Sequence, residues 1–168
     1  MNNLFFIGFM GSGKSAVCGR LHELTGMEVI EMDASIVDSE RMSINDIFAA
    51  KGEQYFRDLE TKLLSQISEE SRKAVSCGGG AILRPENVEL MKKSGKIILL
   101  SATPETIYNR VKDTNDRPLL NGNMNIPYIS ELMQARQPRY TAAADITIDV
   151  NGKSLDEICK EILETVGM

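Results

Sequence analysis

Three glycines, a lysine and a serine fall within eight residues near the start of the chain: residues 8–15 read Gly-Phe-Met-Gly-Ser-Gly-Lys-Ser. They fit G-x-x-x-x-G-K-[ST] through Gly8, Gly13, Lys14 and Ser15, in the setting that pattern needs, between an apolar run at residues 4–7 and a stretch of helical period. Each residue type has a physical task. Glycines let successive backbone N–H groups turn inward around an anion with no Cβ in the way. The helix start that follows adds the positive end of its dipole. Lys14 places a point charge on the outer phosphates, and Ser15 offers a hydroxyl to Mg²⁺. The turn is therefore expected to hold the phosphates of a nucleotide, ATP or GTP.

A phosphate-binding turn serves kinases, switches and motors alike, so the reaction must be read elsewhere in the chain. Transfer to a small-molecule hydroxyl needs acids for the metal and the acceptor, and cations for the charge that develops. Four short stretches could supply them. In Glu-Met-Asp-Ala-Ser (31–35), Glu31 and Asp33 alternate along an extended chain at the carboxyl end of a strand and would point to one face, while an Asp33 that caps a helix is the plain alternative. In Phe-Arg-Asp-Leu-Glu (56–60), Arg57 and Glu60 share a helical face. Taken alone, that stretch reads first as a surface ladder of Glu53, Arg57 and Glu60. In Cys-Gly-Gly-Gly-Ala (77–81), Gly78, Gly79 and Gly80 let a substrate approach the backbone closely. In Arg-Gln-Pro-Arg-Tyr (136–140), Pro138 is expected to end a helix near Arg136 and so fix where its guanidinium projects; Arg136 and Arg139 as solvated charges is the equal alternative. Arg117, beside Pro118, could bring a guanidinium onto transferring phosphate from a closing lid, although a loop arginine is ordinarily solvated.

The elements that must position these groups are legible as short apolar runs alternating with amphipathic stretches, the pattern of a parallel sheet covered on both faces. The runs are Leu-Phe-Phe-Ile-Gly-Phe, Glu-Val-Ile-Glu-Met-Asp, Ala-Val-Ser-Cys-Gly-Gly, Lys-Ile-Ile-Leu-Leu-Ser-Ala and Asp-Ile-Thr-Ile-Asp-Val. Helices are expected at about 14–25, about 43–51 capped by Ser43, about 53–70, about 85–94 opened by Pro85, about 104–112 opened by Thr103 and Pro104, about 127–137, and about 154–166, where Ser154 and Glu157 form a capping box. Residues 112–125, rich in Asn, Asp and Gly, read as a mobile loop between two helices.

With 168 residues the chain is sized for one α/β domain. A net charge of −5 with acids and bases interspersed argues against a nucleic-acid partner, so an anionic ligand must meet a local arginine cluster. Cys18, Cys77 and Cys159 are odd in number and without a C-x-x-C pair, which suggests reduced cytosolic thiols rather than disulfides or zinc. No run approaches membrane-spanning length, no targeting segment is evident, and a cytoplasmic location is expected.

In their order and spacing, the phosphate loop, the acid pair, Phe-Arg-Asp-Leu-Glu, Cys-Gly-Gly-Gly-Ala, Arg117-Pro118-Leu-Leu and Arg-Gln-Pro-Arg-Tyr resemble shikimate kinases across essentially the whole chain. The resemblance implies a P-loop, nucleoside-monophosphate-kinase-like α/β/α sandwich with a five-stranded parallel sheet and a mobile lid at about 112–124. It also implies transfer of the ATP γ-phosphate to the 3-hydroxyl of shikimate with Mg²⁺, on the route to chorismate, by a cytoplasmic monomer. By the same resemblance, Gly11, Ser12, Gly13, Lys14, Ser15 and Ala16 serve the nucleotide, and Arg110 and the loop near Asn151 to Ser154 its adenine side. Asp33 meets the shikimate hydroxyls, Arg57 and Arg136 grip the carboxylate, Gly78, Gly79 and Gly80 face the substrate, Arg117 reaches the phosphates, and Ser15 and Glu31 serve the metal. The sequence departs from the family where Glu31 replaces the first Asp of the usual Asp-x-Asp, and where Ala16 replaces a Thr after the phosphate loop. Two rivals are a related small-molecule kinase, such as one acting on gluconate, and a nucleotide-dependent regulatory switch. The second is opposed by the lack of an Asn/Thr-Lys-x-Asp guanine-reading motif.

Overall fold

The structure is a computed structural model and describes residues 2–112 and 125–168. Five parallel strands form one sheet in the order β2-β3-β1-β4-β5: β1 (Asn3–Ile7), β2 (Glu28–Glu31), β3 (Lys73–Ser76), β4 (Gly95–Ser101) and β5 (Ile146–Asp149). Alternation along β1 divides the core. Leu4 and Phe6 face one side, where they meet α1 (Lys14–Thr25) and α8 (Leu155–Val166) through Val17, Leu21, Ile158 and Ile162. Phe5 and Ile7 face the other, packing with α4 (Glu53–Ser68), α5 (Pro85–Ser94) and α7 (Ile126–Ala143) through Leu64, Met91 and Tyr140. A strand covered on both faces must be apolar throughout, and all five residues of β1 are buried. Two smaller cores complete the frame. Phe9 packs with α6 (Pro104–Val111) and α7, while Ile36 of α2 (Met32–Glu40), Ile47 of α3 (Ile44–Lys51) and Phe56 of α4 build a wall at the β2 edge.

The expected caps are present: Ser43, Thr103 and Ser154 each accept a hydrogen bond from the third residue of their helix, and Glu157 closes the capping box. Two expectations are corrected. The chain does not stay extended beyond Glu31: it turns directly into α2, so Asp33 sits in the first helical turn, with Met32 and Ile36 buried. No glycine or proline separates strand from helix here; the helix-cap alternative at Asp33 was the nearer one, although it is Glu31 that stands at the N-cap. Nor does α7 stop before Pro138; it runs to Ala143. Gln134 and Pro138 are both exposed, so the carbonyl that proline cannot serve opens to water, and burial of Tyr140 and Ala143 carries the helix onward. A short 3₁₀ turn at Ala81–Leu83 also joins the glycine triplet to α5.

Candidate active site

The carboxyl ends of β1, β2 and β3 open onto one cleft of about 1250 Å³, floored by residues 10–17. In a doubly wound sheet this is where ligands bind, at the point where strand order reverses about β1. The phosphate loop is shaped by its own backbone. Gly11 and Gly13 adopt φ of 79° and 101°, which L side chains avoid, and Ser12 N–H donates to the Phe9 carbonyl at 3.1 Å. Lys14 Nζ curls back to donate to the Gly8 carbonyl at 2.7 Å. Arg110 of α6 lies over the loop, donating to the Gly11 carbonyl at 3.2 Å.

Two groups of side chains face this loop. Beside it, Ser15 Oγ donates to Glu31 Oε2 at 2.9 Å, with the Ser76 hydroxyl 3.5 Å from Ser15 Oγ. Across the cleft, Asp33, Arg57 and Arg136 converge on the glycine triplet. A Cβ on Gly78 would stand 2.7 Å from Asp33 Oδ1, one on Gly79 would stand 2.7 Å from an Arg136 nitrogen, and one on Gly80 would collide with the Arg57 guanidinium. A side chain at any of these positions would have to push one of those side-chain ends aside. The side chains occupy the space that a Cβ would take.

The electrostatics follow from this crowding. Partial withdrawal from water pushes the Asp33 carboxyl above the ordinary aspartate range, although Lys14 and Arg57 pull it back. Glu60, with no exposed surface, is also pushed up by burial, against the pull of Arg57, which donates to Glu60 Oε1 at 2.8 Å. Its other oxygen is buried without a hydrogen-bond partner among the described residues and faces the same cleft. The Glu53–Arg57–Glu60 ladder read from the sequence is real, but lopsided: the Glu53 side chain is 64% exposed and the Glu60 side chain 1%. Cys77 lines the cleft as well, but burial pushes its thiol to about 12, which leaves it unreactive.

The structure thus brings together Gly11, Ser12, Gly13, Lys14, Ser15, Ala16, Glu31, Asp33, Arg57, Gly78, Gly79, Gly80, Arg110 and Arg136. Asn151 stands apart. Its side chain accepts from Thr103 N–H and Thr106 Oγ1 and donates to Asp149, tying the β5–α8 loop to α6, and it is Lys153 of that loop and Leu155 at the start of α8 that reach the cleft. Arg117 and nearly all of the expected lid lie outside the described residues. The sequence reading passed over Glu60 as a cleft residue, although a signal existed: Phe56, Glu60, Leu64 and Ile67 form one buried helical stripe with a single acid in it. Lys153 falls in the loop near 151–154 that the resemblance put on the adenine side, whereas Leu155 had no such signal.

The family model for shikimate kinase matches residues 10–167. Curated shikimate kinases of Dehalococcoides mccartyi strain BAV1 and of Persephonella marina are 38% and 42% identical, over 98% and 97% of this chain and 93% and 98% of theirs. Among solved structures, shikimate kinase from Acinetobacter baumannii in complex with shikimate superposes with a TM-score of 0.89 at 30% identity, covering 99% of this chain and 93% of that one. A gluconokinase from Sinorhizobium meliloti shares the fold alone, with a TM-score of 0.63 at 19% identity over 99% of this chain and 91% of its own.

Proposed function

The chain belongs to the shikimate kinase family, and from that premise we propose how its residues divide the work. The reaction is transfer of the γ-phosphate of ATP to the 3-hydroxyl of shikimate, giving shikimate 3-phosphate and ADP on the route to chorismate and the aromatic amino acids. The observation that carries the division is the convergence of Asp33, Arg57 and Arg136 on one glycine turn, opposite Lys14. The two guanidinium groups form planar forks suited to the shikimate carboxylate. That fixes the ring, and Asp33 accepts a hydrogen bond from the attacked hydroxyl. As the new O–P bond forms and the bond to the β-phosphate oxygen breaks, Asp33 receives the hydroxyl proton and ADP leaves with the electron pair. Lys14 and the amides of the phosphate loop balance the charge on the transferring group.

Ser15 and Glu31 fit a divalent cation. They bring a hydroxyl and a carboxylate oxygen together at 2.9 Å beside the phosphate loop, the hard oxygen donors that would hold Mg²⁺. The longer Glu31 side chain reaches Ser15 without help. When bound, Mg²⁺ neutralises phosphate charge. The same reading places the enzyme in the cytoplasm as a one-domain monomer, where its three buried, unpaired thiols stay reduced. It acts there with Arg117 at the phosphates, and no nucleic acid takes part. No helix among the described residues is long and apolar enough to cross a membrane.

The test is ADP release by the purified enzyme with MgATP and shikimate. Shikimate-dependent release is expected; release only with another polyol acid, or only with a protein acceptor, overturns the reading.

A further inference from the structure

The overrun of α7 through Pro138 puts a second residue of Arg-Gln-Pro-Arg-Tyr into play. Four residues apart on one continuous helix, Arg136 and Tyr140 lie on the same face, and that face meets the middle glycine of the triplet. The Tyr140 hydroxyl donates to the Gly79 carbonyl at 3.3 Å, and the Arg136 guanidinium shares the space beside Gly79 with it: a Cβ on Gly79 would stand 2.7 Å from an Arg136 nitrogen and 3.8 Å from the Tyr140 hydroxyl. The Tyr140 ring is otherwise core, packed against the sheet and 3% exposed. A buried phenol needs one polar partner. This one finds its partner in the glycine turn, beside the Arg136 guanidinium, and so within the candidate substrate grip.

The neighbouring turn residue is held separately. Asn87, 1% exposed on α5, donates to the Ala81 carbonyl at 2.8 Å and accepts from Thr61 Oγ1 of α4 at 2.7 Å. The end of the glycine turn is thereby fixed to the helix that carries Arg57. Its middle, Gly79, is tied by side chain to α7 through Tyr140. We propose that Tyr140 is a positioning residue for substrate binding: it relays between the Arg136 fork and the Gly79 backbone, so that carboxylate capture and the setting of the turn are one event. It touches no reacting atom. The hydroxyl contact is long for an O–H···O bond and has room to shorten, and the Arg136 guanidinium that closes on a carboxylate lies beside it at the same glycine.

This inference rests on the assignment of Arg136 to the shikimate carboxylate, and one set of variants separates the two. Tyr140→Phe removes a single oxygen and keeps the buried ring. Shikimate and ADP dissociation constants are measured by calorimetry for wild type, Tyr140→Phe, Arg136→Lys and the double variant, with thermal unfolding and kcat at saturating shikimate alongside. Tyr140→Phe is expected to weaken shikimate about fivefold, with ADP affinity, kcat and the unfolding temperature nearly unchanged. In the Arg136→Lys background it should add less than twofold, because the relay has already lost its fork. Equal weakening of both ligands, full multiplication of the two effects, or no effect of Tyr140→Phe while Arg136→Lys still weakens shikimate each overturns the relay alone. Unchanged shikimate binding in Arg136→Lys overturns the carboxylate assignment beneath it.

Discussion

The two halves of the cleft are built by different means. The phosphate side is one stretch of eight residues shaped by its own backbone and stiffened from outside by Arg110. The acid side draws single side chains from α2, α4 and α7 onto the glycine turn after β3, and its accuracy depends on how those elements pack. A local motif tolerates change elsewhere in the molecule. A site assembled from distant elements feels every shift in the packing beneath it, so substitutions on the two sides should separate nucleotide effects from substrate effects.

Asp33→Asn should have the largest consequence. It keeps the shape and removes the proton acceptor, so kcat in a coupled ADP assay is expected to fall about 10²–10³-fold, with nucleotide affinity and unfolding temperature intact. Near-normal turnover would take Asp33 out of the chemistry. Gly80→Ala comes next, because the new methyl group displaces the Arg57 guanidinium. Shikimate affinity is expected to fall about tenfold and ADP affinity less than twofold; equal losses measured by calorimetry would break the division between the halves. Glu60→Gln gives the smallest effect and is read as a pH profile of stability. The carboxyl of Glu60 is raised in the folded state, so that state holds its proton more tightly than the unfolded chain, and stability falls as pH climbs from the ordinary glutamate value toward the raised one. One group contributes a slope of at most about 1.4 kcal/mol per pH unit. Denaturant melts should show the wild type losing ground to Glu60→Gln across that window, and parallel profiles would show that Glu60 titrates as it does unfolded.

The same contrast separates what was legible in the chain from what was not. The phosphate loop, the alternation of runs and helices, and the caps at Ser43, Thr103 and Ser154 depend on neighbours within a few residues, and they stand where the sequence puts them. Asp33 and Arg136 were legible as residue types, but not by the local reasons first attached to them. Asp33 lies in a helix rather than on an extended chain, and Arg136 is presented by a helix that passes through proline.

By itself, then, the sequence determined a phosphate-loop turn at the carboxyl end of the first strand of a parallel sheet, because backbone freedom at glycine, capping oxygens and apolar period act over one or two turns of chain. Only the tertiary structure decided that Arg57, Arg136 and Asp33 crowd one glycine turn, that Glu60 is wholly buried, and that Tyr140 joins the site. These contacts span 18 to 61 positions of chain, and the burial of Phe56, Tyr140 and Ala143 outweighs local preference in fixing them.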